Sequence, residues 1–134
     1  MPHQNAEFML RWYNEVWNKE NENAIDEMFH PEGKAHGLGA EPVIGAAGFK
    51  VFYNAFRKDY KQVHITVDKV LVDGDYAVAL CDVKAVHRTS DKPIRFSGTS
   101  IAEIRDGKLV NAWNYFDFLS LNIQIGKILP EQLV

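Results

Sequence analysis

The sequence predicts an α+β fold in which helices pack on one face of a mostly antiparallel sheet. Three observations carry that reading. In the first half of the chain, large apolar residues recur at helical spacing. From Val63 onward the period changes to two, with acidic-Gly turns between the runs. After Asp117 the period lengthens again for one last helix. The chain has 134 residues, which suits a single domain over residues 1–134 and, at roughly two-thirds of its unfolded surface buried, one sizeable core.

Each element has its own local signal. Phe8, Met9, Trp12, Tyr13, Val16 and Trp17 share one face of a first helix, and Arg11, Asn14, Glu15 and Asn18 take the other. Asn21 or Asn23 caps a short second helix carrying Ile25, Met28 and Phe29, which Pro31 ends. "KAHGLG" is a brief extended piece, and Gly37, Gly39, Pro42 and Gly45 make a loop of the stretch up to the next helix. Phe49, Phe52, Tyr53 and Phe56 define that third helix, which ends near Tyr60. Val63, Ile65 and Val67 then alternate with His64, Thr66 and Asp68. "DGD" at Asp73 to Asp75 is a hairpin turn. A strand runs from Tyr76 to about His87, and "TSDKP" turns the chain. Another strand runs from about Arg95 to Arg105, and Asp106-Gly107 turns it again. The last strand runs from Lys108 to about Asp117. Gly126 stops the final helix, with Pro130 beyond it.

Composition narrows the function. The hydrophobic fraction is 46% and the charged fraction 25%, as in ordinary globular domains. Net charge is −3 with no basic stripe, which argues against a nucleic-acid partner. No apolar run is long enough to cross a bilayer, and "MPHQNAEFML" lacks the layout of a signal peptide. Cys81 is the only cysteine; in "AVALCDV" it reads as a small core residue, and a cytoplasmic location fits it. The five His show no metal-site spacing such as HExxH, so the sequence gives no support for a metal site. No Gly-rich phosphate loop and no Ser nucleophile elbow is present. Aromatic residues make up 12% of the chain, enough to fill a core and also to line a pocket for a flat, hydrophobic small molecule.

Several stretches together resemble the SnoaL-like polyketide cyclases of the nuclear transport factor two-like superfamily. "RWYNEVWNKENENAIDEMFHPEG" is similar to that family's opening helix pair. "GAAGFKVFYNAFRKDYKQVHITVDKVLVDGDYAVA" resembles its Gly-initiated helix, strand and acidic-Gly hairpin. "IRDGKLVNAWNYFD" looks like its closing hairpin with a Trp-x-x-x-Asp pattern. The resemblance implies a cone-shaped, strongly curved sheet wrapped around helices and enclosing a pocket. It implies a cofactor-free acid/base enzyme, cyclase- or isomerase-like, acting on a small carbonyl-bearing substrate. It also implies a homodimer formed through the outer sheet face. Many family members carry a Gly/Pro-rich insertion between the middle strands, whereas "HRTSDKPIRF" is a tight connection here.

On the last strand, alternation puts Asn111, Trp113, Tyr115 and Asp117 on one face and Ala112, Asn114, Phe116 and Phe118 on the other. The resemblance turns Trp113 and Asp117 inward and makes Asp117 the general acid/base. A carboxyl on an apolar wall has its pKa raised by desolvation, which suits proton transfer near neutrality. Asp117 equally reads as the N-cap of the final helix, with "DFLS" as its first turn. His36, on the short strand, is the candidate to orient an enolate oxygen or to share a proton with Asp117. Tyr13 and Trp17 lie one helical turn apart, and Tyr13 offers a hydroxyl donor. With Tyr53, Phe56, Trp113 and Tyr115 they form the candidate substrate wall, and the resemblance adds His87. His64 and Asp82 alternate toward the outer face, and His3 and His30 read as surface residues.

Other members of the superfamily, the ketosteroid isomerases, place a Tyr where Tyr13 falls. Their two carboxylates fall near Gly37 or Leu38 and near Thr99 or Ser100, where this sequence has none. Two rival readings stand beside catalysis. One is a ligand-binding or dimerisation module without chemistry. The other is an epoxide-opening hydrolase, which needs an Asp–Arg–Asp set that Arg95 and Arg105 are not positioned to supply.

Overall fold

His3 opens helix α1 (Gln4–Trp12) by accepting the Asn5 N–H at its Nδ1, 3.0 Å away. The computed structural model describes residues 3–133. The first helix does not run on regularly to Asn18. Tyr13–Asn18 form a π-helical turn, a wider winding that needs outside partners to hold it. Two are present. The Asn18 amide accepts from the Ile65 N–H at 2.7 Å and donates to the Ile65 carbonyl at 2.9 Å, standing in for a neighbouring strand. The Tyr53 hydroxyl donates to the Val16 carbonyl at 2.8 Å.

Helix α2 (Asn23–Met28) stops one residue sooner than the aromatic spacing predicts. Phe29 already belongs to strand β1 (Phe29–His36), which is longer than the brief extended piece expected. Pro31 sits where β1 loses register with its neighbour, between the pairings of Phe29 and Lys34, a place where a missing N–H costs little. Strand β2 (Val43–Ile44) leads into helix α3 (Gly45–Asp59). Strands β3 (Tyr60–Asp73), β4 (Tyr76–His87), β5 (Lys92–Arg105) and β6 (Lys108–Phe116) form the meander. Helix α4 (Phe118–Gln124) and a 3-10 turn at Pro130–Leu133 close the chain.

The sheet order is β2-β1-β6-β5-β4-β3. Among the described residues only the β1–β6 pairing is parallel. Register breaks in β3 and between β5 and β6 are β-bulges, which bend and twist a strand. The result is a curved, unclosed sheet.

Helices α1 and α3 lie inside that curve. Beneath them the sheet carries small residues: Ala77, Ala79, Cys81, Ala85, Ala102 and Ala112 are all buried. Small strand residues let the helix rings come close. Trp12, Tyr13, Trp17, Phe49 and Tyr53 fill the space above them. Cys81, 2% exposed, is the core residue its apolar setting predicts. Among the described residues no helix is long and apolar enough to cross a membrane.

Candidate functional site

The rings do not fill the curve completely. A cavity of about 70 Å³ remains between α1, α3 and the inner sheet face. Its walls are almost wholly apolar: Trp12, Trp17, Phe29, Phe49, Phe52, Phe56, Phe96, Phe116 and Phe118 supply rings, and Ala35, Leu38, Leu109 and Ala112 supply aliphatic surface. The side chains with hydroxyl or amide groups on its lining are Tyr13, Ser100 and Asn114; no carboxylate, imidazole, lysine or arginine is among the lining residues.

Each polar group is placed by the local fold. Tyr13 heads the π-helical turn and is 4% exposed. Burial pushes its phenol well above the ordinary value, with Cys81 and Ser100 as immediate neighbours. Ser100 and Asn114 are directly paired across β5 and β6. The Ser100 hydroxyl donates to Asn114 Oδ1 at 3.1 Å, and Asn114 Nδ2 donates to the His36 carbonyl at 2.9 Å. Gly37 makes that last contact possible. Its φ is +86°, and a Cβ there would lie 1.9 Å from the Asn114 carbonyl oxygen, so only glycine lets the end of β1 approach β6 this closely.

The void is smaller than the roughly 150 Å³ that holds a benzene ring in an engineered apolar cavity. A ring-sized ligand would need some of the wall rings to move. Phe52, Phe56, Phe116 and Phe118 are only partly buried, whereas Trp12, Phe29 and Phe49 are packed tight. The first four are therefore the less buried part of the wall.

A family model, SnoaL-like polyketide cyclase, matches residues 7–125. The chain belongs to the SnoaL-like polyketide cyclase family. Solved structures agree with it in fold. A candidate SnoaL-like polyketide cyclase from Jannaschia sp. CCS1 superposes with a TM-score of 0.84 at 18% identity, with 93% of each chain covered. A candidate polyketide cyclase from Bacillus cereus ATCC 10987 reaches 0.81 at 28% identity, covering 92% of this chain and 80% of that one. A protein of ketosteroid isomerase-like fold from Catenulispora acidiphila DSM 44928, in complex with trimethylamine, reaches 0.79 at 20% identity, covering 90% and 92%. No curated protein matches the sequence.

Within this SnoaL-like fold the expected site residues divide. Tyr13, Trp17 and Phe56 line the cavity. Asp117 does not. The division of β6 into two faces holds, but the interior face is the one with Ala112, Asn114 and Phe116. Asp117 is exposed and caps α4, its Oδ1 accepting the Ser120 N–H at 2.9 Å. His36 and Trp113 pair in register and stack on the opposite side of the sheet, with ring centroids 5.8 Å apart. Tyr115 lies on that side too, 65% exposed. Tyr53 is fully buried as a strut for the π-helical turn. His87 sits at the end of β4, its Nδ1 2.8 Å from Ser90 Oγ and its ring against Tyr60. None of these six is among the lining residues. The inward turn of Trp113 and Asp117 was implied by the family resemblance, and periodicity alone could not choose between the faces.

Ser100 and Asn114 were not among the expected site residues. A signal for them exists in the sequence: Phe96, Ser100, Ala102 and Ile104 alternate as one face of β5, and all are buried. The arginines do not serve an epoxide-opening set. Arg95 pairs with Asp82 at 3.0 Å and is exposed, and Arg105 bonds Glu103. Neither lies among the lining residues.

Proposed function

We propose that this SnoaL-like chain seats a neutral, flat, hydrophobic molecule bearing a carbonyl, and that Tyr13 donates its hydroxyl to that carbonyl. The observation that supports this most is the contrast inside the cavity: a ring-lined, uncharged wall with Tyr13, Ser100 and Asn114 gathered at one place. An uncharged cavity disfavours a charged ligand, whose desolvation nothing there repays. A donor in a water-poor site polarises a carbonyl and stabilises the charge that grows on its oxygen during enolisation or ring closure. Walls that hold a flexible chain folded contribute by bringing its reacting carbons together. The reaction class is a cyclase- or isomerase-type rearrangement in which the protein positions and polarises, without a side-chain carboxylate in the cavity.

A second reading, a ligand-binding module of the same fold, is favoured by one observation: no ionisable acid or base of ordinary pKa near neutrality lines the cavity. Titration with acetophenone tests the part that both readings share. The protein has three tryptophans; Trp12 and Trp17 line the cavity and Trp113 does not. Acetophenone should shift the indole N–H signals of Trp12 and Trp17 and leave that of Trp113 in place. Tyr13→Phe should weaken binding about fivefold, the worth of one net hydrogen bond. Equal affinity for the two proteins would remove Tyr13 from the reading. A poly-ketone substrate that binds and is turned over separates the enzyme from the binder.

We also propose that the outer sheet face joins a second copy. Leu71, Val78, Ile101, Trp113 and His36 are successive partners across β3, β4, β5, β6 and β1, so one row of mostly apolar side chains spans five strands. Leu80 and Tyr115 flank it, and Leu71 is 58% exposed. A five-stranded face of this strand length is about 20 Å by 40 Å, close to the roughly 800 Å² per partner of a standard interface.

A further inference from the structure

The cavity's hydroxyl and amide groups form a chain whose direction is fixed at one end. The His36 carbonyl can only accept, so the Asn114 amide must turn its NH2 toward it, at 2.9 Å. That leaves Asn114 Oδ1 facing Ser100, 3.1 Å from its Oγ. An amide oxygen can only accept, so the Ser100 hydroxyl proton is committed to it. Ser100 has one proton and two lone pairs. With the proton spent, it meets anything in the cavity as an acceptor. Ser100 is 4% exposed, so water is a poor substitute partner for it. Tyr13 holds the other hydroxyl proton at this spot; its neighbours are Ser100 and Cys81, and a thiol is a weak acceptor that a ligand carbonyl can outcompete for that proton.

We propose that Asn114 is a positioning residue that sets the hydrogen-bond polarity of the cavity. It makes Ser100 an acceptor, so that beside the Tyr13 donor the site takes a ligand offering a hydroxyl next to a carbonyl and rejects one offering two carbonyls. The enol form of a 1,3-dicarbonyl has that pattern, and its diketo form does not. Two carbonyls would leave Ser100 facing a second acceptor, and an unmet buried polar group is more costly than a missing contact. The site therefore selects the enol, the nucleophilic form of such a substrate, without a base of its own. This inference rests on the reading of the cavity as the ligand site.

The probes are phenol, which can donate, and anisole, which cannot. Affinities come from the Trp12 and Trp17 indole signals for wild type, Ser100→Ala and Asn114→Leu, with folding checked by circular dichroism. The ratio of phenol to anisole affinity should fall about fivefold in both variants, but by opposite routes. Ser100→Ala should lose phenol affinity and leave anisole unchanged. Asn114→Leu frees the Ser100 hydroxyl to turn, so anisole should tighten while phenol holds. A merely structural role for Asn114 would weaken both probes together and leave the ratio fixed, and that result overturns the proposal. Should Asn114→Leu fail to fold, an unchanged ratio in Ser100→Ala is sufficient to overturn it. If neither probe moves the Trp12 or Trp17 signals of the wild type, the cavity reading itself falls and this inference with it.

Discussion

At the scale of single residues, chemistry and position part company. Asp117 has the side chain an acid/base catalyst needs and stands where α4 needs a cap. Its Oδ1 takes the Ser120 N–H that would otherwise lack a partner, one of the orphan donors of a helix start. Asp117→Ala should therefore cost about 1 kcal/mol in urea unfolding and leave the acetophenone affinity of the cavity untouched. A loss of ligand affinity with stability intact would return Asp117 to the site. The same lesson holds for Tyr13 in the opposite sense. Its place on an apolar helical face reads equally as core or as donor, and it is both: 4% exposed and on the cavity lining. Spacing gave the helix face on which Tyr13 and Trp17 sit. It could not reveal that a π-helical turn begins at Tyr13, because the partners that hold that turn come from Ile65 and Tyr53, far along the chain.

At the scale of elements, the meander and α3 were plain in the sequence, since alternation and acidic-Gly turns are local signals. Several ends were legible too, with β4 spanning Tyr76–His87 and β6 starting at Lys108, but the starts of β1 and β3 were not. Helix α3 gives way to β3 at Tyr60 without a loop, and β1 begins at Phe29, where the periodicity still reads as helix. The two faces of β6 were separable, yet which one looks inward depends on what packs there. The inward face pairs small or polar residues with Phe116: Gly98 lies opposite Phe116, and a Cβ on Gly98 would come within 2.4 Å of that ring. Large rings at Trp113 and Tyr115 pointed the other way, to the outer row. That row carries a prediction of its own. Light scattering should give about twice the monomer mass of 15.3 kDa, because an apolar face of this size is rarely left bare. Ile101→Arg, in the middle of the row, should shift the protein to monomers without changing acetophenone binding. A wild type that is monomeric at micromolar concentration would contradict the paired-sheet arrangement.

At the scale of the whole molecule, the buried hydroxyl and thiol beneath α1 couple stability to pH. Burial, with a smaller contribution from Asp68, pushes the Cys81 thiol from its ordinary 9.0 up to about 11, and its hydrogen bond with Tyr13 offsets part of that rise. Both groups are favoured neutral in the fold. The unfolded chain loses its thiol proton first, so between pH 9 and 11 it holds fewer protons than the folded one, and stability falls as pH rises. Below pH 9 the thiol is neutral in both states and contributes no slope. Thermal unfolding of wild type should drop across that window, and Cys81→Ala should drop less. Identical pH profiles would mean that the thiol is not held neutral by the core.

The account depends most on where a carbonyl ligand sits, because the protein offers two apolar surfaces on opposite sides of one sheet. Intermolecular nuclear Overhauser effects from acetophenone to assigned methyl groups measure this directly. The interior reading predicts effects to Ala35, Leu38, Leu109 and Ala112, which line the cavity. Effects confined to Leu71, Val78 and Leu80 on the outer face would contradict it.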